Sequence, residues 1–231
     1  ESHEWGNDRY ATGSGIATTI PDASTLEESI AKYYNEDNYT IETLNLGLMK
    51  KVNPEYSIIE NLDYIELRKG EDVRQSYDGL ILPGGESTVQ GKLLRELGMF
   101  DTVKKRIEEG LPVLATCAGL ILLAEKIADD TTVHLATLPV TVKRNAYGRQ
   151  LGSFYTEHEF EGIGKIPMTF IRAPYIESVE PGVQILAKVD GNIVGVQYQN
   201  QIAISFHPEL DENRAIHKKF LAMCEKMAKV A

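Results

Sequence analysis

The sequence predicts an α/β fold: a mostly parallel central sheet covered by helices on both faces, with an antiparallel extension. Three observations lead there. Between Thr40 and Ala124, short apolar or β-branched runs alternate with helix-like segments, the pattern of a parallel sheet buried on both sides. Three chemically distinctive motifs fall at the ends of predicted strands, where open α/β sheets bind their ligands. Beyond Thr137 the pattern changes to short strands separated by Gly, Pro and Asn turns, which reads as antiparallel.

In chain order, Glu1 to Ser14 is polar and without periodicity, and reads as irregular. Pro21 to Thr25 can start a helix, with Ser24 or Thr25 as N-cap and Leu26, Ile30 and Tyr33 or Tyr34 as its apolar face. Thr40–Leu48 is the first predicted strand, Pro54 opens a helix through Leu62, and Tyr64–Leu67 is a second strand. Tyr77–Leu82 is a third strand. Gly91–Phe100 and Asp101–Glu109 are helical, with Gly98 and Gly110 as breaks. The apolar run Leu111–Leu114 leads into Thr116-Cys117-Ala118-Gly119, and helical composition continues through Ala124. Strands are then expected at Thr137–Lys143, Gln150–Glu161, Met168–Arg172, Val183–Val189, Ile193–Gln199 and Gln201–Phe206. Glu212–Val230 closes the chain as a helix, with Ile216, Phe220, Met223 and Met227 on one face as core. No repeat or linker interrupts this, so one domain is expected over 40–231, preceded by an N-terminal extension over 1–39.

Composition narrows the function. With 42% hydrophobic and 25% charged residues in 231, the chain reads as soluble and globular. No apolar run reaches a membrane span, and the polar opening is unlike a signal peptide. A net charge of −10 argues against nucleic acid or an anionic membrane as partner. Two cysteines, Cys117 and Cys224, offer no disulfide framework and fit a reducing, cytoplasmic compartment. No His/Cys cluster has zinc spacing.

The chemistry concentrates in the strand-end motifs. Cys117 sits at a strand-to-helix turn among small neighbours, the arrangement of a nucleophile elbow. Such a turn leaves backbone N–H groups near the sulfur, and the following helix N-terminus favours negative charge there. Pro83-Gly84-Gly85-Glu86-Ser87-Thr88 is a glycine turn opening a helix, suited to an anionic or carbonyl oxygen. In Ser205-Phe206-His207-Pro208-Glu209, the imidazole can take a thiol proton, and Glu209, fixed across Pro208, can orient it. His3, His134, His158 and His217 read as structural or surface residues, and Cys224 as a core cysteine.

These motifs together resemble the class I glutamine amidotransferases, and within them the glutaminase subunit of pyridoxal 5′-phosphate synthase, the PdxT/SNO family. The resemblance rests on Leu82 to Thr88, Thr116 to Ala124, Arg144-Asn145-Ala146-Tyr147-Gly148-Arg149-Gln150, Phe170-Ile171-Arg172-Ala173-Pro174 and Ser205 to Leu210. It implies a flavodoxin-like three-layer sandwich. It also implies that Cys117 is the nucleophile, His207 the base and Glu209 its orienting partner. Backbone N–H groups of Gly85 and Ala118 would form the oxyanion hole. Gly85, Glu86, Ser87, Arg144, Ile171 and Arg172 would contact glutamine. The implied reaction is hydrolysis of L-glutamine through a γ-glutamyl thioester, with ammonia passed to a separate synthase subunit in a hetero-oligomer. Neither metal nor cofactor is required on this chain.

The chain departs from the family pattern at the first strand. Members end that strand in Gln-Gly-Ala, with a Glu-His pair soon after. Here it ends Leu44-Asn45-Leu46-Gly47-Leu48-Met49, with Gly47 in place of the glutamine and Asn53 near the expected histidine. Leu44-Asn45-Leu46 followed by Met49-Lys50-Lys51 is faintly similar to homoserine O-acyltransferases, which share the fold and a cysteine nucleophile, but the rest of the chain does not follow them. The sequence therefore leaves two alternatives open: another cysteine hydrolase or acyltransferase on this fold, or a non-catalytic binding subunit.

Overall fold

A computed structural model describes residues 65–144 and 153–228. The predicted N-terminal helix, the strand Thr40–Leu48, the helix from Pro54 and the segment 145–152 lie outside the described residues.

The elements begin with a 3-10 turn at Asp72–Arg74, then β1 (Leu80–Leu82), α1 (Ser87–Glu96), α2 (Phe100–Glu108), β2 (Val113–Thr116) and α3 (Ala118–Leu123). There follow β3 (Ala124–Ile127), β4 (Leu138–Lys143), β5 (Ser153–Phe160), β6 (Gly164–Ile171), β7 (Tyr175–Val179), β8 (Gln184–Val189), β9 (Asn192–Tyr198) and β10 (Gln201–Ile204). A second 3-10 turn at Pro208–Leu210 precedes α4 (Ala215–Ala228). The main sheet runs β1-β2-β10-β9-β7-β4-β3, with β8 paired on β9, while β5 and β6 form a separate hairpin. β1, β2 and β10 are mutually parallel, and β9 runs antiparallel to β10.

Every residue of β1, β2 and β10 is buried, as expected where a parallel sheet is covered on both faces. Alternation sorts their side chains into two cores. Leu80, Leu82, Val113, Ala115 and Ala203 pack with Leu94, Met99 and Val103 from α1, the α1–α2 connection and α2, and with Leu120 and Leu122 from α3. Ile81, Leu114, Ile202 and Ile204 face the other way, onto Phe160, Phe170, Phe206, Ile216 and Phe220. Fully burying each such side chain contributes roughly 1.5–3 kcal/mol. The second core carries an aromatic chain. Phe154 stacks on Phe170 at 4.5 Å, and Phe170 lies 5.6 Å from Phe206, which meets Phe160 edge-on at 6.4 Å. These rings fasten the β5–β6 hairpin to the end of β10.

Four sequence expectations change. Ile65–Leu67 is irregular rather than a strand. Helical composition after Cys117 yields only six residues, because Ala124–Ile127 leaves the helix to pair in parallel with β4; strand pairing overrides local propensity there. Tyr175–Val179, unassigned in the sequence, is the strand between β4 and β9. The first long helix also starts four residues earlier than expected, at Ser87, because the Glu86 side chain caps it by accepting the N–H groups of Thr88 and Val89 at 3.1 and 3.3 Å.

Two predictions arise from packing. A Cβ on Gly119 would stand 2.1 Å from the Leu82 carbonyl oxygen, so α3 can lie across the end of β1 only with glycine there. Gly119→Ala is expected to lower stability by roughly 2 kcal/mol or more, read from the midpoint of urea unfolding; an unchanged midpoint would contradict this packing. On α4, His217 is buried, and burial, reinforced by the Arg214 charge, lowers its pKa from 6.5 to about 4. The folded chain thus holds this ring neutral while the unfolded chain protonates it. Its stabilising contribution is complete above pH 6.5 and is lost as pH falls towards 4. His217→Gln should remove on the order of 2–3 kcal/mol of the stability loss between pH 7 and 4.5; equal pH slopes for the two proteins would refute it.

Candidate active site

The site lies at the carboxyl ends of β1, β2 and β10. Cys117 follows β2 directly and has φ +48°, a conformation L-residues rarely adopt outside a forced turn. Its N–H donates to the Ile204 carbonyl at 2.8 Å, so the elbow is held by the last residue of the neighbouring strand. Cys117 is buried, and the next residue, Ala118, begins α3. An N–H at a helix's first position has no carbonyl partner within the helix.

Three residues beyond Ile204 comes His207. Its Nδ1 lies 2.6 Å from Glu209 Oε1, and the ring interacts electrostatically with the Cys117 sulfur. Cys117, His207 and Glu209 therefore share one site, with the imidazole hydrogen-bonded to the carboxylate and facing the charge of the sulfur. Burial opposes charge on the imidazole, but the Glu209 carboxylate and the Cys117 sulfur outweigh it and hold the His207 pKa well above the ordinary histidine value. Glu209 is likewise opposed by burial, yet the His207 charge keeps its carboxyl below the usual range. The pair thus favours imidazolium beside carboxylate. Pro208 begins the 3-10 turn that brings Glu209 back beneath the ring.

Backbone contacts fix this geometry. The His207 N–H donates to the Thr169 carbonyl on β6 at 2.8 Å, and the Thr169 hydroxyl donates to Asp211 Oδ1 at 2.8 Å. On the other side, the Pro83–Gly85 turn lies against the imidazole: a Cβ on Gly84 would stand 2.4 Å from His207 Cε1. Gly85 has φ +133°, open to glycine and costly for other residues. The Gln90 side chain on α1 donates to the carbonyls of Gly84 and Pro83 at 2.8 and 3.3 Å and braces the turn from below.

The remaining sequence candidates are spread around this site. Glu86 uses its carboxylate as the α1 cap, and Ser87 is buried at the first position of that helix. Ile171 ends β6, two residues past the Thr169 carbonyl that holds His207, and Arg172 follows with φ +44° and an exposed side chain. Arg144 stands just past β4 and pairs with Asp130 at 2.9 Å. His134, against Gly91 of α1, feels the charges of both Arg144 and Glu86. Burial, with Arg144 and Arg95, lowers its pKa. A Cβ on Gly91 would stand 2.2 Å from its Nδ1. Cys224 is remote from the site: its sulfur packs at Gly79 and Phe220, and burial pushes its thiol up to about 12. Sequence reasoning passed over Gln90, Thr169, Asp211 and Asp130. Only Gln90 carried a signal, one helical turn after the cap Glu86 and so on the same face.

Among the described residues, no cluster of His, Cys, Asp and Glu could hold a metal ion, and no helix is long and apolar enough to cross a membrane.

The sequence matches the family described as SNO glutamine amidotransferase over residues 48–226. It is 68% identical over 166 residues to the pyridoxal 5′-phosphate synthase subunit PdxT of Desulfitobacterium hafniense (strain Y51), covering 71% of this chain and 83% of that protein. Identity to the protein of the same name from Haemophilus influenzae (strain PittEE) is 53% over 167 residues, covering 71% and 87%. A crystal structure described as glutamine amidotransferase superposes with a TM-score of 0.69 at 41% identity, covering 74% of this chain and 91% of that one. The strand-end cysteine, the histidine–glutamate pair and the glycine turn thus sit within a fold and sequence shared with these proteins, and the chain belongs to the SNO glutamine amidotransferase family.

Proposed function

We propose that this chain is the glutaminase subunit of a pyridoxal 5′-phosphate synthase, hydrolysing L-glutamine to L-glutamate and ammonia for a partner synthase subunit in the cytoplasm. The observation that carries the catalytic reading is the His207–Glu209 pair at 2.6 Å, on the loop after β10, beside a cysteine elbow held at positive φ by the last residue of that same strand. Kinship with PdxT proteins supports the pathway and the partner.

In this reading His207 has taken the Cys117 proton and holds it as imidazolium, and the thiolate attacks the γ-carbonyl of glutamine. The negative oxygen that forms is met by the N–H groups of Gly85 and Ala118, fixed dipoles needing no rearrangement. Collapse breaks the C–N bond. The proton on His207 goes to the leaving nitrogen, and ammonia departs. His207 then takes a proton from water, which attacks the γ-glutamyl thioester and releases glutamate and the thiol. Glu209 holds the ring orientation and favours the imidazolium of both steps. Gly85, Glu86 and Ser87 line the turn side of the substrate. Arg144 binds its α-carboxylate, with Ile171 and Arg172 on the opposite wall.

Two measurements test this. Cys117→Ser should abolish glutamine hydrolysis, and His207→Asn should lower kcat by about a thousandfold or more. Glu209→Gln should cost less, because it moves no proton. A diazoketone analogue of glutamine should label Cys117 and spare Cys224, whose thiol is held neutral; labelling of Cys224, or an active Cys117→Ala protein, would refute the assignment. The second is the glutaminase rate with and without a cognate synthase subunit, on the full chain and on a chain truncated before Thr40. Because Gly47-Leu48-Met49 replaces the family's Gln-Gly-Ala, stimulation should be weak or absent. Strong stimulation of the full chain would overturn that expectation.

A further inference from the structure

We infer that Asp130 is a positioning residue for substrate: it anchors the Arg144 guanidinium with one edge turned towards the glutamine α-carboxylate. This rests on the reading that Arg144 binds that carboxylate, and goes further in assigning what aims it.

Asp130 stands at the turn after β3, where its N–H donates to the Ile127 carbonyl at 3.2 Å. Its two oxygens have separate tasks. Oδ1 accepts the Thr132 N–H at 2.8 Å, which fixes the carboxylate to its own turn. Oδ2 accepts from Arg144 Nη1 at 2.9 Å. The hydrogen bonds from Thr132 lower the Asp130 pKa and keep the group charged. Asp130 is thus tied down before it meets the arginine.

The contact is made end-on. It occupies Nη1 and leaves Nε and Nη2, which are buried and without a hydrogen-bond partner among the described residues. Nε and Nη2 form the guanidinium edge whose two parallel N–H bonds match a carboxylate. Leaving two donors of a permanently charged group buried and unpaired is costly, and a bound carboxylate would satisfy both. Burial, with the charges of Arg144 and Arg95, disfavours protonation of the neighbouring His134. Without Asp130, the guanidinium would keep its charge but lose its fixed direction, so that substrate binding would suffer more than the chemical steps.

The test is steady-state glutaminase kinetics of the full chain carrying Asp130→Asn, Asp130→Glu or Arg144→Gln. Inactivation by the diazoketone analogue, which bears the α-carboxylate, is compared with alkylation of Cys117 by iodoacetamide, which does not. Asp130→Asn should raise KM for glutamine about tenfold with kcat within about threefold of the parent. It should slow the diazoketone about as much and leave iodoacetamide unaffected, and Asp130→Glu should restore most of the loss. Asp130 is partly exposed at a turn, and an unchanged iodoacetamide rate reports an intact elbow. If Arg144→Gln raises KM while both Asp130 variants keep the parent KM, Asp130 does not position the arginine. If Arg144→Gln itself leaves KM unchanged, the carboxylate-binding reading fails, and this inference with it. A slowed iodoacetamide reaction in both Asp130 variants would also overturn it, by showing a general disturbance of the site.

Discussion

The hydrogen bond between the Cys117 N–H and the Ile204 carbonyl is the constraint on which the site depends. It continues the parallel ladder in which Leu114, Ala115 and Thr116 pair with Ile202, Ala203 and Ile204. Because the two strands end level, the elbow after one and the histidine loop after the other emerge side by side. A register slip would turn every inward side chain of β10 to the other core. It would also carry His207 away from the sulfur. The same residues that separate into two cores therefore set the catalytic distance, and packing and chemistry cannot be altered independently here.

Around this ladder the chain accepts unfavourable local geometry and holds it from several sides. Cys117 and Arg172 both have positive φ, each costing on the order of 1–3 kcal/mol. Cys117 is pinned by Ile204 and by the close passage of α3 over Leu82. The imidazole is bounded by Gly84 on one face and tied through its backbone to β6. Removing a side chain is what makes each of these approaches possible, so the glycines of this region act through closeness as much as through flexibility.

Much of this was legible in the sequence, and the exceptions have physical causes. Strands buried on both faces announce themselves as unbroken apolar runs, so β1, β2 and β10 were placed closely. The Cys, Gly-Gly and His-x-Glu motifs stood out because their residue types are chemically conspicuous at strand ends. β3 and β7 did not stand out. Ala124-Glu125-Lys126-Ile127 has helical composition and becomes a strand only because β4 is there to pair with it. Gln90, Thr169 and Asp211 act through backbone carbonyls and a hydroxyl that three-dimensional closure alone brings near. Asp130 lies fourteen residues before its partner Arg144, in a turn whose acidic composition is ordinary for a surface.

The order of the strands has a consequence for biogenesis. Among the described residues β10 is the last strand in the chain, yet it is inserted between β2 and β9 in the interior of the sheet. While a ribosome is still extending the chain, β2 waits with an edge of unpaired backbone N–H and C=O groups, a surface prone to join other polypeptides. Neither His207 nor the carbonyl that anchors the elbow has then been synthesised. A nascent chain can therefore have no working thiol, and the moment that closes the sheet is also the moment that arms it.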